Sequence, residues 1–208
     1  LKGWAFAKTS DALWVNLYGS ARVDTDIAGG RFSLVEKTDY PWSGTIGFTV
    51  EKAPAGEAGL MLRIPAWAEG ATARVGKEAA RKVQAGSYAA LRRVWKPGDR
   101  VELQLPMTPR LVTVNPYVES ARNQVAVMRG PLVYALESPD MPAGVRVSEV
   151  SLSPGVRFDE RFDKSLLGGV TVLEARARLR PDGDRTRLLY STHPPEPVRS
   201  ARIRRNPY

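Results

Sequence analysis

Apolar side chains recur at every second position over much of this chain, and no sustained 3.6-residue repeat competes with them. "LWVNLYG" (13–19) puts Leu13, Val15 and Leu17 on one face and Trp14, Asn16 and Tyr18 on the other. "GTIGFTVEK" (44–52) aligns Ile46, Phe48 and Val50; "GLMLRIPAW" (59–67) aligns Leu60, Leu62 and Ile64; "RVELQLPM" (100–107) aligns Val101, Leu103 and Leu105. Turn signals such as "APAGEAG", "WKPGD" and "PDMPAG" separate the runs. In "KPGD", Pro97 presets φ and Gly98 tolerates a positive one, as a type II turn requires. Short strands at this spacing predict an all-β protein of antiparallel sandwiches.

A second set of strands is predicted at 124–130, 131–137, 145–153, 170–180, 186–192 and 198–205. The 208 residues suffice for two sandwiches of about 100 residues each. The expected division is 1–117 and 118–208, with the boundary near Tyr117 and "TPRLVTVNPYVESARNQ" (108–124) as a crossing strand and linker.

Composition narrows the chemistry. There is no cysteine, so disulfides, Cys-bound zinc and thiol catalysis are excluded within these residues. His193 is the single histidine; it lies in the extended "STHPPEP" and reads as a loop residue. No run reaches the roughly 20 apolar residues of a membrane helix. The opening residues lack both an initiator Met and a signal peptide's apolar core, so a processed chain or part of a longer one is expected. The compartment stays open. The net charge of +9 comes from Arg residues spread among Asp and Glu, the pattern of a solvated surface rather than a nucleic-acid footprint.

Glycoside hydrolysis generally needs two carboxyls, about 5–5.5 Å apart for retention and 6.5–9.5 Å for inversion. The candidates are Asp24 with Asp26, Glu36 with Asp39, and the cluster Asp159, Glu160 and Asp163. Asp24 and Asp26 precede a Gly-Gly turn and read as solvent-facing; the 159–163 cluster alternates with Arg157, Arg161 and Lys164 and reads as an exposed loop. None is assigned as catalytic, cofactor-binding or metal-binding. The five indoles, Trp4, Trp14, Trp42, Trp67 and Trp95, all lie in the first half. They suit either a sugar platform or sandwich cores in which the ring N–H finds an acceptor. The core is favoured, with Trp42 and Trp67 expected to be mostly buried. In "TDYPW" (38–42), Pro41 should end strand pairing and Trp42 should turn inward.

Taken in order, "ALWVNLYG" (12–19), "TDYPWSG" (38–44), "LMLRIPAWA" (60–68), "YAALRRVWKPGDRVELQLPM" (88–107) and "VAVMRGPLVYALES" (125–138) resemble the C-terminal part of glycoside hydrolase family 127. The family is that of the β-L-arabinofuranosidases. The resemblance is weaker after residue 138, where "ARIRRNPY" (201–208) resembles the approach to the family's closing strand.

The resemblance implies an upstream (α/α)6 barrel followed by two β-sandwiches. It also implies that catalysis belongs to the barrel, with a cysteine nucleophile, a zinc held by Cys and Glu side chains, and a carboxylate acid/base. The family's vicinal cysteines fall before the stretch matching residue 3 onward, so no catalytic or zinc-binding residue maps onto this chain. The expected role is therefore a support for the barrel, inert alone, in a parent acting on plant-derived glycans. A homodimer through a sandwich is a candidate partner arrangement; nucleic acid and membrane are not. The second sandwich is expected to be incomplete, with an open strand edge beside 198–205. Two other readings remain: a carbohydrate-binding module using surface Trp, and a polyanion binder using Arg199, Arg202, Arg204 and Arg205.

Overall fold

A computed structural model describes residues 2–179 and 199–207. It divides into two units, Leu1–Thr108 and Pro109–Tyr208. The division falls upstream of the expected boundary near Tyr117. Residues Pro109–Thr113, read as a crossing strand and linker, pair antiparallel with Val125–Arg129 and so belong to the second unit.

The first unit opens with a helical turn, Lys2–Ala5, followed by β1 (Phe6–Lys8), β2 (Ala12–Val15), β3 (Ala21–Ile27), β4 (Gly30–Thr38) and β5 (Thr45–Lys52). It continues with β6 (Ala58–Ile64), β7 (Thr72–Val75), β8 (Arg81–Lys82), β9 (Ser87–Arg93) and β10 (Arg100–Gln104). The strands form two sheets, β1–β2–β6–β9 and β3–β4–β5–β10–β7–β8. Pairing is antiparallel except between β2 and β6, which run parallel. The alternating sets predicted from sequence become the core: Ile46, Phe48 and Val50, then Leu60, Leu62 and Ile64, then Val101, Leu103 and Leu105 are all buried. At "KPGD", Gly98 has φ +92° and the Asp99 amide donates to the Lys96 carbonyl at 3.0 Å.

Two readings change at strand ends. β2 stops at Val15, so alternation fails beyond it: Leu17 is exposed and Tyr18 packs against the core. In "TDYPW" the Trp42 amide donates to the Asp39 carbonyl at 2.8 Å, closing a turn. That turn sends Tyr40, not Trp42, inward; Tyr40 packs on the core and meets Tyr18 edge-on at 5.8 Å. Gly44 then passes so close to β10's end that a Cβ there would stand 1.9 Å from the Leu105 carbonyl oxygen. The motif is a corner that only glycine can complete.

The second unit contains β11 (Pro109–Thr113), β12 (Val125–Arg129), β13 (Leu132–Ala135), β14 (Val150–Ser151), β15 (Phe158–Asp163), β16 (Val170–Leu179) and β17 (Arg199–Pro207). They join in the order β11–β12–β13–β17–β16–β14, with β15 also paired to β16. β17 pairs with β16 over Arg199–Arg205 and with β13 at Asn206 and Pro207. It is therefore an inner strand at Asn206 and Pro207, whereas over Arg199–Arg205, beside the open edge expected at 198–205, β16 is its one strand partner among the described residues. Val127, Tyr134 and Leu173 form the centre of its core. The predicted strand at 145–153 is reduced to Val150–Ser151, with a 3₁₀ turn at Val147–Glu149 before it, where Glu149 bonds locally to the Arg146 amide and carbonyl. The strand predicted at 186–192 lies outside the described residues.

Candidate functional site

Each proposed carboxylate pair can be tested by where its members sit. Asp24 and Asp26 are exposed on the outer face of β3. Asp24 accepts hydrogen bonds from Ser33 Oγ and, at 3.0 Å, from Arg22 Nε, and those bonds hold its pKa below the ordinary carboxylate value. Asp26 faces Arg31 at 3.5 Å. Both carboxylates are thus held by arginines on an exposed face.

Glu36 and Asp39 are separated by environment. Glu36 stands on the inward face of β4, opposite Phe48, and is only 2% exposed. Burial raises its pKa to about 7, against a 2.9 Å hydrogen bond from the Gly19 amide to Oε1. Among the described residues its Oε2 has no hydrogen-bond partner. Asp39 is exposed on the turn, so the two carboxyls share no cleft. A carboxyl with a pKa near neutrality fits a general acid, but one enclosed beneath Tyr18 and Phe48 meets no substrate.

The cluster 159–163 is a strand, not a loop. β15 alternates, so Asp159 and Asp163 face one way and Glu160 the other. Arginines pair with each: Arg202 with Asp159 at 3.4 Å, Arg129 with Glu160 at 2.7 Å, Arg204 with Asp163 at 2.6 Å. The Ser165 hydroxyl and amide also bond Asp163, and together with Arg204 they depress its pKa to about 2. Such a group is ionised at neutral pH and cannot protonate a leaving group.

The same pairs answer the polyanion reading. Arg202 also meets Glu174 at 2.8 Å, Arg204 is held by Asp163, and Arg205 is buried. The Arg199 side chain and His193 lie outside what is described.

Two grooves mark the first unit. One, of about 690 Å3, runs between β9 and the β7–β8 region; its lone carboxylate, Glu78, pairs with Arg93 at 3.0 Å. The other, of about 740 Å3, crosses the outside of β5, β10 and β7. Its carboxylates are Asp99, which accepts from the Lys96 amide, and Glu102, paired with Arg74 at 3.1 Å. Among the described residues no group of three or more His, Cys, Asp or Glu stands together as a metal site.

The indoles divide by exposure. Trp95 is 2% exposed and its Nε1 donates to the Ala58 carbonyl at 2.9 Å, while Phe32 meets its ring edge-on. Trp67 is half-buried against the core. Trp14 is half-buried and meets Tyr88 edge-on at 4.8 Å. Trp42, expected in the core, is 49% exposed, and Trp4 is 78% exposed.

These features define a protein of β-sandwich type whose candidate carboxylates are paired with arginine, buried or exposed on a turn. Comparison with known proteins gives the family: residues 12–107 match the β-L-arabinofuranosidase GH127 middle domain, and 109–204 match the family's C-terminal domain. The chain belongs to glycoside hydrolase family 127. It is 34% identical over 187 residues to a non-reducing end β-L-arabinofuranosidase of Bifidobacterium longum subsp. longum, matching 85% of this chain and 28% of that protein. A GH127 β-L-arabinofuranosidase from Geobacillus stearothermophilus T6 superposes with a TM-score of 0.85 at 34% identity, over 99% of this chain and 32% of that one. A second GH127 β-arabinofuranosidase gives 0.80 at 26% identity, over 99% and 33%. The chain thus spans about a third or less of the length of these relatives.

Proposed function

We propose that this chain is a non-catalytic support for the catalytic domain of a β-L-arabinofuranosidase-like glycoside hydrolase. The observation that carries the reading is the state of its carboxylates. Every candidate is paired with arginine, enclosed in the core or left alone on a turn, and the sequence holds no cysteine. The nucleophile, the acid/base group and the zinc implied by the family resemblance would then reside upstream, and the substrate would be an arabinofuranoside of plant origin. The sandwiches contribute rigidity: a large apolar core in the first unit and a seven-stranded sheet in the second.

The test is to assay residues 1–208 and the whole polypeptide on an aryl β-L-arabinofuranoside, with zinc measured in both. Turnover and zinc in the whole polypeptide only are the expected result. Turnover by residues 1–208 that a substitution within them abolishes would defeat the reading.

A further inference from the structure

The outer face of the six-stranded sheet has a gap that the fold does not require. Register sets Lys37, Gly47, Glu102 and Arg74 side by side on β4, β5, β10 and β7, a row about 14 Å wide at ordinary strand spacing. Gly47 leaves the middle of that row without a side chain. Glycine inside a strand weakens it, and it usually answers a bulge, a positive φ or the close approach of another group. The first two do not apply. Gly47 pairs in regular register with Lys37 and Glu102, the shift between β4 and β5 lies at Ser33 and Leu34, and the φ of Gly47 is not positive. Nor does the chain itself crowd the site: a Cβ there would meet only the Lys37 carbonyl, at an ordinary 3.7 Å. What remains is a molecule that lies against the sheet.

The groove of about 740 Å3 over this gap is basic. Arg100, beside Thr49 in the next row of the same face, and Lys77, just past β7, line it together with Lys37. The Gly76 amide donates to the Arg100 carbonyl at 2.8 Å, which holds the turn bearing Lys77 against β10. All three cations are exposed, and none has an ion-pair partner among the described residues. The groove's two carboxylates are already engaged, Glu102 by Arg74 at 3.1 Å and Asp99 by the Lys96 amide at 2.9 Å. We propose that the groove binds an acidic glycan, its uronate carboxylates on Lys37, Lys77 and Arg100 and a sugar ring over Gly47. Separated free cations around a bare floor select a ligand with several separated negative charges. Half-exposed Thr49 adds a hydroxyl partner for a sugar. The aromatic that lines the groove, Phe48, is buried, so a nucleotide base finds no ring to stack on. The choice of a sugar to carry the charges rests on the reading of the parent as a glycan hydrolase.

Isothermal titration calorimetry of the whole polypeptide with an oligogalacturonate, at one low ionic strength, tests this. Saturable binding should weaken about tenfold or more when Lys37→Gln is combined with Arg100→Gln, which removes two charge-assisted contacts. Gly47→Val should weaken it to a similar degree at constant charge, because its side chain fills the gap in a site with room for a Cβ. The fully methyl-esterified oligomer should bind at least about tenfold more weakly than the acid. Absence of binding, equal binding of acid and ester, or a charge variant that binds like the parent overturns the proposal. So does a Gly47→Val variant that binds like the parent while the charge variant loses affinity, since only diffuse attraction to surface charge is then left. Tighter binding of a single-stranded DNA oligonucleotide of equal charge, or equal binding of inorganic phosphate, overturns it as well. The hydrolase reading is tested separately, by turnover of an aryl β-L-arabinofuranoside, which all three proteins should show alike. A parent that binds the acidic oligomer as described but turns over no arabinofuranoside keeps the groove and defeats only that reading.

Discussion

The Gly19 amide donates a 2.9 Å hydrogen bond to Glu36 Oε1, the sole bond described for a carboxyl enclosed in the first unit's core. That bond lowers the carboxyl's pKa, yet burial prevails and raises it from 4.5 to about 7. A folded-state pKa above the unfolded one means that folding favours the protonated form. The stabilisation is therefore complete below about pH 4.5 and is lost as pH rises through 7. The loss amounts to roughly 3 kcal/mol by pH 8. Glu36→Gln should flatten the decline in melting temperature between pH 5 and pH 8. An unchanged slope in the variant would assign the effect elsewhere.

The second unit carries the opposite dependence. Asp163 is depressed to about 2 by bonds from Ser165 and by Arg204. Its contribution is present above the ordinary carboxylate pKa of 3.8 and fades as pH falls towards 2. Asp163→Asn should lower the melting temperature at pH 6 and narrow its difference from the parent at pH 3. A difference that widens on acidification would contradict this.

Trp95 and Trp42 should respond unequally to truncation. Trp95→Ala empties a core site and strands the Ala58 carbonyl, so a loss of roughly 3–5 kcal/mol is expected in denaturant unfolding. Trp42→Ala, at a corner that is half exposed, should cost well under half as much. Equal costs would place Trp42 in the core after all.

How much of this was legible can be seen at particular residues. Ile46, Phe48 and Val50 alternate inside a regular strand, where a period of two leaves no other burial pattern. The choice between Tyr40 and Trp42 was not legible, because it depends on a hydrogen bond from residue 42 to residue 39 rather than on periodicity. β15 was hidden because "FDERFD" carries charge on both faces, and only cross-strand arginines explain why it is ordered. Glu36 had a usable signal that went unread: it shares the parity of Leu34, which faces the core. The family likeness, by contrast, was carried by short ordered motifs and needed no coordinates.

Gly44 sets the corner's tightest tolerance. Gly44→Ala would drive a Cβ into the Leu105 carbonyl, a backbone atom that cannot swing away. A destabilisation of about 1–3 kcal/mol or more is expected. A variant as stable as the parent would show that β5 and β10 separate there at little cost.

The central claim is that residues 1–208 perform none of the bond-breaking chemistry. The most direct measurement is kcat of the whole polypeptide on an aryl β-L-arabinofuranoside, below its melting temperature. It would be made with Asp24, Asp26, Glu36, Asp39, Asp159, Glu160 and Asp163 each replaced by the matching amide. All seven variants should turn over within about twofold of the parent, whereas loss of a true general acid or base lowers the rate about 10²–10⁴-fold. A loss of that size in a variant that remains folded would put a catalytic group in this chain and contradict the claim.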